Sequence, residues 1–294
     1  MKVVYGHTDS IYVKIDSIDK AKEAVVEIND HVRESFPNVL GLSEHPVVLE
    51  FEKYFSRLGV GATKNRNAGL ISWKDGYDLE KPEFTMTGFT AKRISETPLA
   101  KGVQTEVLRM WLNDNTFKEI NSFLNGIYTS IINSDFSKVD IIKRSRLKVE
   151  RFSVKCPNCN KKYKVEDCYS IDFCQKCGEE KKNFTTLQNK KPSFGEGVSG
   201  VLYGREKLNM DYDDSYLFMK VRAKDTFTHP LTNESKSAEY FSATTLEDFK
   251  DVVPDLAYYG NVIIKKAEPI YRAMGWNTDS IRTGRMQTSF DDWW

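Results

Sequence analysis

A chain of 294 residues with 40% hydrophobic and 29% charged side chains can bury a sizeable core in one large domain or two ordinary ones, which excludes a disordered, collagenous or coiled-coil protein. No apolar run approaches the eighteen or so residues that cross a bilayer, and the start Met1-Lys2-Val3-Val4-Tyr5 has no apolar signal core, so a cytoplasmic protein with no membrane partner is expected. The net charge of +1 hides an asymmetry: residues 138–191 hold fifteen Lys or Arg against seven Asp or Glu, an excess that points either to a polyanion or to a solvated face.

In chain order, Lys2 to Ile15 reads as strand, turn and strand, with Val3, Val4 and Tyr5 before Gly6 and the second strand from Ile11. A helix follows. Ser17 can cap it, and Ala21, Ala24, Val25, Ile28, Val32 and Phe36 recur at the spacing of one buried face. Val47 to Tyr54 is predicted as a strand, Gly59 to Ala62 leads into a basic turn, and another strand runs through Leu70 and Ile71. Leu99 to about Asn133 has a helical pattern. Beyond it, a helix over Val198–Leu208, a strand over Tyr216–Val221 and a long helix from Asp255 to Met274, closing on Gly275, are predicted. The fold class is α+β, with a boundary near residue 135.

All five cysteines fall between 156 and 177, and four form Cys156-x2-Cys159 and Cys174-x2-Cys177. Two such knuckles suit tetrahedral Zn²⁺, since each aims two thiolates at one ion. Two disulfides are the competing reading, and they would require an oxidising compartment. Four thiolates fill the coordination shell, so a zinc here is structural, and Cys168 is the spare.

At Tyr5-Gly6-His7-Thr8-Asp9-Ser10 the chain resembles motif C of family B DNA polymerases, Tyr-x-Asp-Thr-Asp-Ser. Further matches keep the family's order: Val48-Leu49-Glu50-Phe51-Glu52, Thr63-Lys64, Thr87-Gly88, Arg93, Ala100-Lys101 and Gln104, then Tyr216 to Val221, Tyr258-Tyr259 and Gly275. The resemblance spans nearly the whole chain apart from roughly 153–192 and looks closest to archaeal replicative enzymes. It implies the C-terminal part of a palm, an antiparallel sheet with helices over residues 1–134, followed by a mainly helical thumb over 135–294 with a zinc ribbon inserted at about 153–192.

The resemblance also implies roles. Asp9 matches the second aspartate of motif C and is the expected ligand for catalytic Mg²⁺ (or Mn²⁺), because nucleotidyl transfer uses divalent ions held by carboxylate oxygens. His7 stands where the family has the first aspartate, and a neutral imidazole suits Mn²⁺ better than Mg²⁺. Glu50 or Glu52 are possible accessory carboxylates. Lys64 and Arg66 keep the charge of the strand that feels the primer minor groove, whereas Asn65 and Asn67 replace a lysine and a tyrosine; Thr90 and Ser95 replace acidic residues beside Arg93. Arg93, Lys101, Lys143, Arg144 and Arg146 are candidate contacts to DNA phosphates, alongside Lys148 and Arg151.

The family's motif A, nucleotide-binding fingers and exonuclease would precede motif C. One carboxylate strand cannot make a two-metal site, so activity is expected only with a large subunit supplying those parts, or in a longer chain of which this is a fragment. The expected function is therefore the small subunit of a split DNA-directed DNA polymerase acting on primer-template and dNTP, nucleoid-associated, with a large hydrophobic interface. The last residues, Gln287, Phe290, Trp293 and Trp294, resemble the box that binds a PCNA-type sliding clamp. Two other classes stay open: a catalytically inactive polymerase-derived scaffold, and a zinc-containing, clamp-tethered DNA-binding protein.

Overall fold

The computed structural model describes residues 2–6, 9–61, 65–93, 96–195, 197–222 and 225–285. His7, Lys64 and the clamp-box residues Gln287, Phe290, Trp293 and Trp294 lie outside the described residues.

The chain opens with an antiparallel hairpin, β1 (Lys2–Gly6) and β2 (Ile11–Lys14), which forms a two-stranded sheet by itself. Helix α1 (Ile18–Ser35) starts where Ser17 accepts a hydrogen bond from the Lys20 amide at 3.2 Å. Only Ala21 and Ala24 of its predicted stripe are buried, and Phe36 is 60% exposed. Val25, Ile28 and Val32 are half-buried while Lys22, Glu23, Val26 and Glu27 are exposed, so the stripe is the inner face of the helix, as the periodicity predicts, and its burial fades toward Phe36.

A three-stranded meander follows, β3 (Lys53–Val60), β4 (Asn67–Lys74) and β5 (Tyr77–Thr87), with β4 in the middle. The predicted strand over 47–54 begins only at Lys53. The cause is Asn29, whose side chain takes both the N–H and the C=O of Leu49 at 2.8 Å and withdraws them from any ladder. Asp75 and Gly76, both at positive φ, make the tight β4–β5 turn.

Helix α2 (Pro98–Leu112) is capped by Thr97, with Pro98 at its first position, and α3 (Phe117–Ile132) by a reciprocal Thr116–Glu119 box. The predicted helical stretch thus divides at 113–116. Strand β6 (Lys143–Arg146) leads into a four-cysteine module with β7 (Ser153–Lys155), β8 (Lys162–Lys164) and β9 (Thr185–Thr186), ordered β8-β7-β9. Then come α4 (Gly197–Lys207), β10 (Ser215–Lys220), the hairpin β11 (Thr226–Thr228) and β12 (Ser235–Ser237), β13 (Tyr240–Ala243), α5 (Leu256–Met274) and α6 (Asp279–Thr283). Asp255 caps α5, and Gly275 at φ +71° ends it.

The largest core joins β4 and β5 to α2, α3, α5 and α6, with Val107, Ile120, Leu124, Ile263 and Tyr271 almost fully buried. Helix α5, from the far end of the sequence, therefore packs on helices that precede residue 135. A second core lies against the β13-β10-β6 sheet, and a third runs from the cysteine module into α4 through Val154, Phe184, Val198 and Leu202.

Candidate active site and nucleic-acid interface

The β1–β2 turn carries Asp9 exposed at its tip. Below the turn the Tyr5 hydroxyl donates to Asn65 Oδ1 at 3.1 Å, while Tyr12 bridges the Tyr5 and Phe55 rings at centroid distances of 5.4 and 5.8 Å. The hairpin is thereby held against the turn between β3 and β4. That turn closes through the Gly61 amide on the Arg66 carbonyl at 2.7 Å, and Asn65 sits at φ +63°. Gly88, at φ +74°, lies so close that a Cβ there would meet the Asn65 carbonyl oxygen at 1.7 Å. Only glycine permits this approach. Tyr5, Asn65-Arg66 and Thr87-Gly88 are separate along the sequence and adjacent in space.

Two replaced positions on this strand face differently. Asn65 is exposed with its side chain engaged by Tyr5, whereas Asn67 is buried within the sheet. Arg66 is half-buried. Glu50 and Glu52 are exposed in the segment before β3, and Glu52 pairs with Lys53 at 2.5 Å. Among the described residues, no group of three or more carboxylates or histidines gathers around Asp9.

Arg93 is exposed just beyond a 3-10 turn over 90–92, and Lys101 is half-buried on α2. The turn is shaped by buried Gln104, whose Oε1 accepts from Thr90 Oγ1 at 3.0 Å and from the Ala91 amide at 2.8 Å. Gln104 is thus a structural residue. Lys266 Nζ donates to Thr90 Oγ1 at 2.6 Å and to Glu96 Oε2 at 2.5 Å, and Lys143 approaches Glu96 at 3.8 Å. Burial would raise the Glu96 carboxyl, but the two ammonium groups hold it below its ordinary value. Neither Lys266 nor Glu96 belongs to a local pattern, so nothing in the sequence signals them.

Of the three basic residues on β6, Lys143 turns inward to this network while Arg144 and Arg146 are exposed. In the β13-β10-β6 sheet the Lys220 amide donates to the Tyr259 hydroxyl at 2.8 Å, so the two late sequence matches also meet.

The four cysteines converge, with all Sγ atoms within 4.8 Å of one another and the pairs Cys156–Cys177 and Cys159–Cys174 at 3.5 Å. A tetrahedral ion bound at about 2.3 Å needs sulfur separations near 3.8 Å, so the donor set fits. Both knuckles repeat one backbone design. The amides of Cys156 and Cys174 bond to the carbonyls of Lys161 and Glu179, and the amides of Asn160 and Gly178 bond back to Cys156 and Cys174. Asn160 and Gly178 take the left-handed conformation this turn requires. The Tyr163 hydroxyl donates to Cys174 Sγ at 3.1 Å. Cys168 stands apart, and burial pushes its thiol up to about 11, so it stays protonated and inert. All five cysteines are free of disulfides. Among the described residues no helix is long and apolar enough to cross a membrane.

The profile of DNA polymerase family B matches residues 1–269. The DNA polymerase catalytic subunit of Murid herpesvirus 1 (strain Smith) is 31% identical over 119 residues, 40% of this chain and 10% of the viral protein. The family B DNA polymerase of the hyperthermophilic archaeon Pyrobaculum calidifontis shares the fold, with a TM-score of 0.52 and 18% identity over 94% of this chain and 27% of that one. The chain therefore spans about a quarter of the archaeal polymerase and a tenth of the viral one. With the family pattern running through nine-tenths of its length, the chain belongs to DNA polymerase family B.

Proposed function

We propose that this chain supplies the motif C aspartate, the primer-gripping strand and the thumb of a DNA-directed DNA polymerase, and that a separate large subunit supplies motif A, fingers and exonuclease. The observation that carries this reading is the meeting of Tyr5, Asn65 and Gly88 beneath Asp9, since motif C and the strand that feels the primer end must act at one place. Asp9, aided by His7, would hold a divalent ion. Mg²⁺ or Mn²⁺ supplies charge neutralisation and activation of the primer hydroxyl when bound. Arg66 and Arg93, with Lys64 and Lys101, would position the primer-template; Arg144 and Arg146 on the exposed face of β6 would hold phosphates of the duplex. Residues 1–134 serve as palm and 135–294 as thumb, and the four cysteines hold a structural Zn²⁺.

The need for a partner is supported by surface chemistry. Val3, Val26, Phe36, Val39, Leu40 and Val48 are exposed within the first fifty residues, beside a hairpin whose sheet has only two strands. Exposed apolar side chains in this number are what a partner's interface would cover. The C-terminal box at Gln287, Phe290, Trp293 and Trp294 would tether the complex to a sliding clamp.

A second reading, a polymerase-derived scaffold without catalysis, is favoured by one observation: Asn67 is buried where the family has a duplex-contacting tyrosine. Primer extension by the chain alone and mixed with its large partner, in Mg²⁺ and in Mn²⁺, separates the two. Extension only in the mixture, abolished by Asp9→Ala, is expected. An intact complex that binds DNA and extends nothing in either metal would establish the scaffold.

A further inference from the structure

The outer face of the β8-β7-β9 sheet has an unusual charge arrangement. Lys155 on β7 pairs directly with Lys162 on β8, and Ser153 pairs with Lys164. Directly paired residues share a face, so the three lysines project from one side while Val154 and Tyr163 bury the other. Like charges directly opposite in a sheet are destabilising. Among the described residues none of the three lysines forms a side-chain ion pair, and the carboxylate of Asp167 accepts from the backbone amide of Lys164 at 3.1 Å. Glu166 pairs with Arg205, Asp172 with Lys181 and Glu180 with Lys182.

An open cleft of about 520 Å³ beside β7 is lined by Lys148, Glu150, Arg151, Ser153 and Gln188 among others. The platform is rigid. Tyr163 stacks on Phe184 at 5.0 Å, and buried Lys181 donates to the Cys168 carbonyl at 2.7 Å and to Asn233 Oδ1 at 2.8 Å, tying the module to the loop between β11 and β12.

We propose that Lys155, Lys162 and Lys164 form a sequence-independent docking surface for the phosphate backbone of duplex DNA, extending the grip of Arg144 and Arg146 onto the cysteine module. The charge complementarity of a row of ammonium groups without ion pairs selects a polyanion, and a flat sheet face offers no pocket to read bases. The inference rests on the polymerase reading, which supplies the duplex.

The test is primer-template binding by the full chain, followed by fluorescence anisotropy from 50 to 200 mM salt, for wild type, K155Q/K162Q/K164Q and R144Q/R146Q. Zinc content and circular dichroism establish that each variant is folded, and K155R/K162R/K164R should keep the wild-type slope. Loss of three phosphate contacts should flatten the log–log salt slope by about 2.7, so that the salt-induced loss of affinity across this range shrinks by about 40-fold. An unchanged slope in K155Q/K162Q/K164Q, with a flattened one in R144Q/R146Q, would overturn this surface and leave the polymerase reading intact. Duplex binding absent from the wild type itself would overturn both. Retained DNA binding with lost affinity for the large partner would also overturn the proposal, making the face a protein interface.

Discussion

Lys266 on α5 donates to the carboxylate of Glu96 at 2.5 Å, joining two residues 170 positions apart. Both side chains are largely buried, and the same ammonium holds Thr90, so the segment that follows the Thr87-Gly88 turn is fastened to the last long helix. Removing Lys266 leaves the largely buried Glu96 carboxylate with only the more distant Lys143 at 3.8 Å. Lys266→Met is therefore expected to destabilise the fold by about 3–5 kcal/mol, read from the urea midpoint.

The pair also sets a pH dependence. The folded-state pKa of Glu96 lies below its ordinary value of 4.5, despite burial that would raise it, because Lys266 and Lys143 favour the charged form. The stabilisation is then complete above about pH 4.5 and is lost as pH falls through the lower folded value. Unfolding measured between pH 6 and 3 should show a steeper loss of stability in wild type than in Glu96→Gln. Parallel curves would exclude Glu96 as the titrating group.

At Gly88 the close approach of the Asn65 carbonyl leaves no room for a side chain. Gly88→Ala combines a clash with a residue at φ +74°, and should cost about 1–3 kcal/mol or displace the turn. Displacement would separate Asn65 from Tyr5, so primer-template affinity should fall along with stability. Gly76→Ala, at a positive φ with open space around it, serves as the comparison and should leave DNA affinity unchanged.

The cysteines predict a simple stoichiometry. Wild type and Cys168→Ser should each carry one zinc by elemental analysis, and Cys174→Ser none. Since the module shares its core with Val198 and Leu202 of α4, stripping the metal with a chelator should lower the melting temperature of α4 along with that of the module.

The exposed apolar residues test the partner directly. Val39 and Leu40 are 85% and 75% exposed, so Val39→Ser with Leu40→Ser should change the stability of the isolated chain by less than about 0.5 kcal/mol. Binding to the large subunit should weaken at least tenfold in a titration if these side chains lie in the interface.

The local elements were legible in the residues because their signals are local. Ser17, Asp255 and Gly275 announce helix ends through backbone groups within a few positions, and the predicted 198–208 helix and 216–221 strand shift by only one residue. The four-cysteine spacing likewise determines the knuckles, since each is a single turn. The family pattern identified Tyr5, Asn65 and Gly88 without saying that they touch.

What only the tertiary structure decided are relationships between distant segments. Asn29 denies a ladder to Leu49, Lys143 turns inward to Glu96 while Arg144 and Arg146 face solvent, and the stripe on α1 is fully buried only at Ala21 and Ala24. Periodicity records which residues are apolar or charged, and pairing across 20 to 170 residues depends on how the chain closes on itself. Composition therefore determined that this protein folds and carries a basic segment; packing determined which of those charges remain available to a nucleic acid.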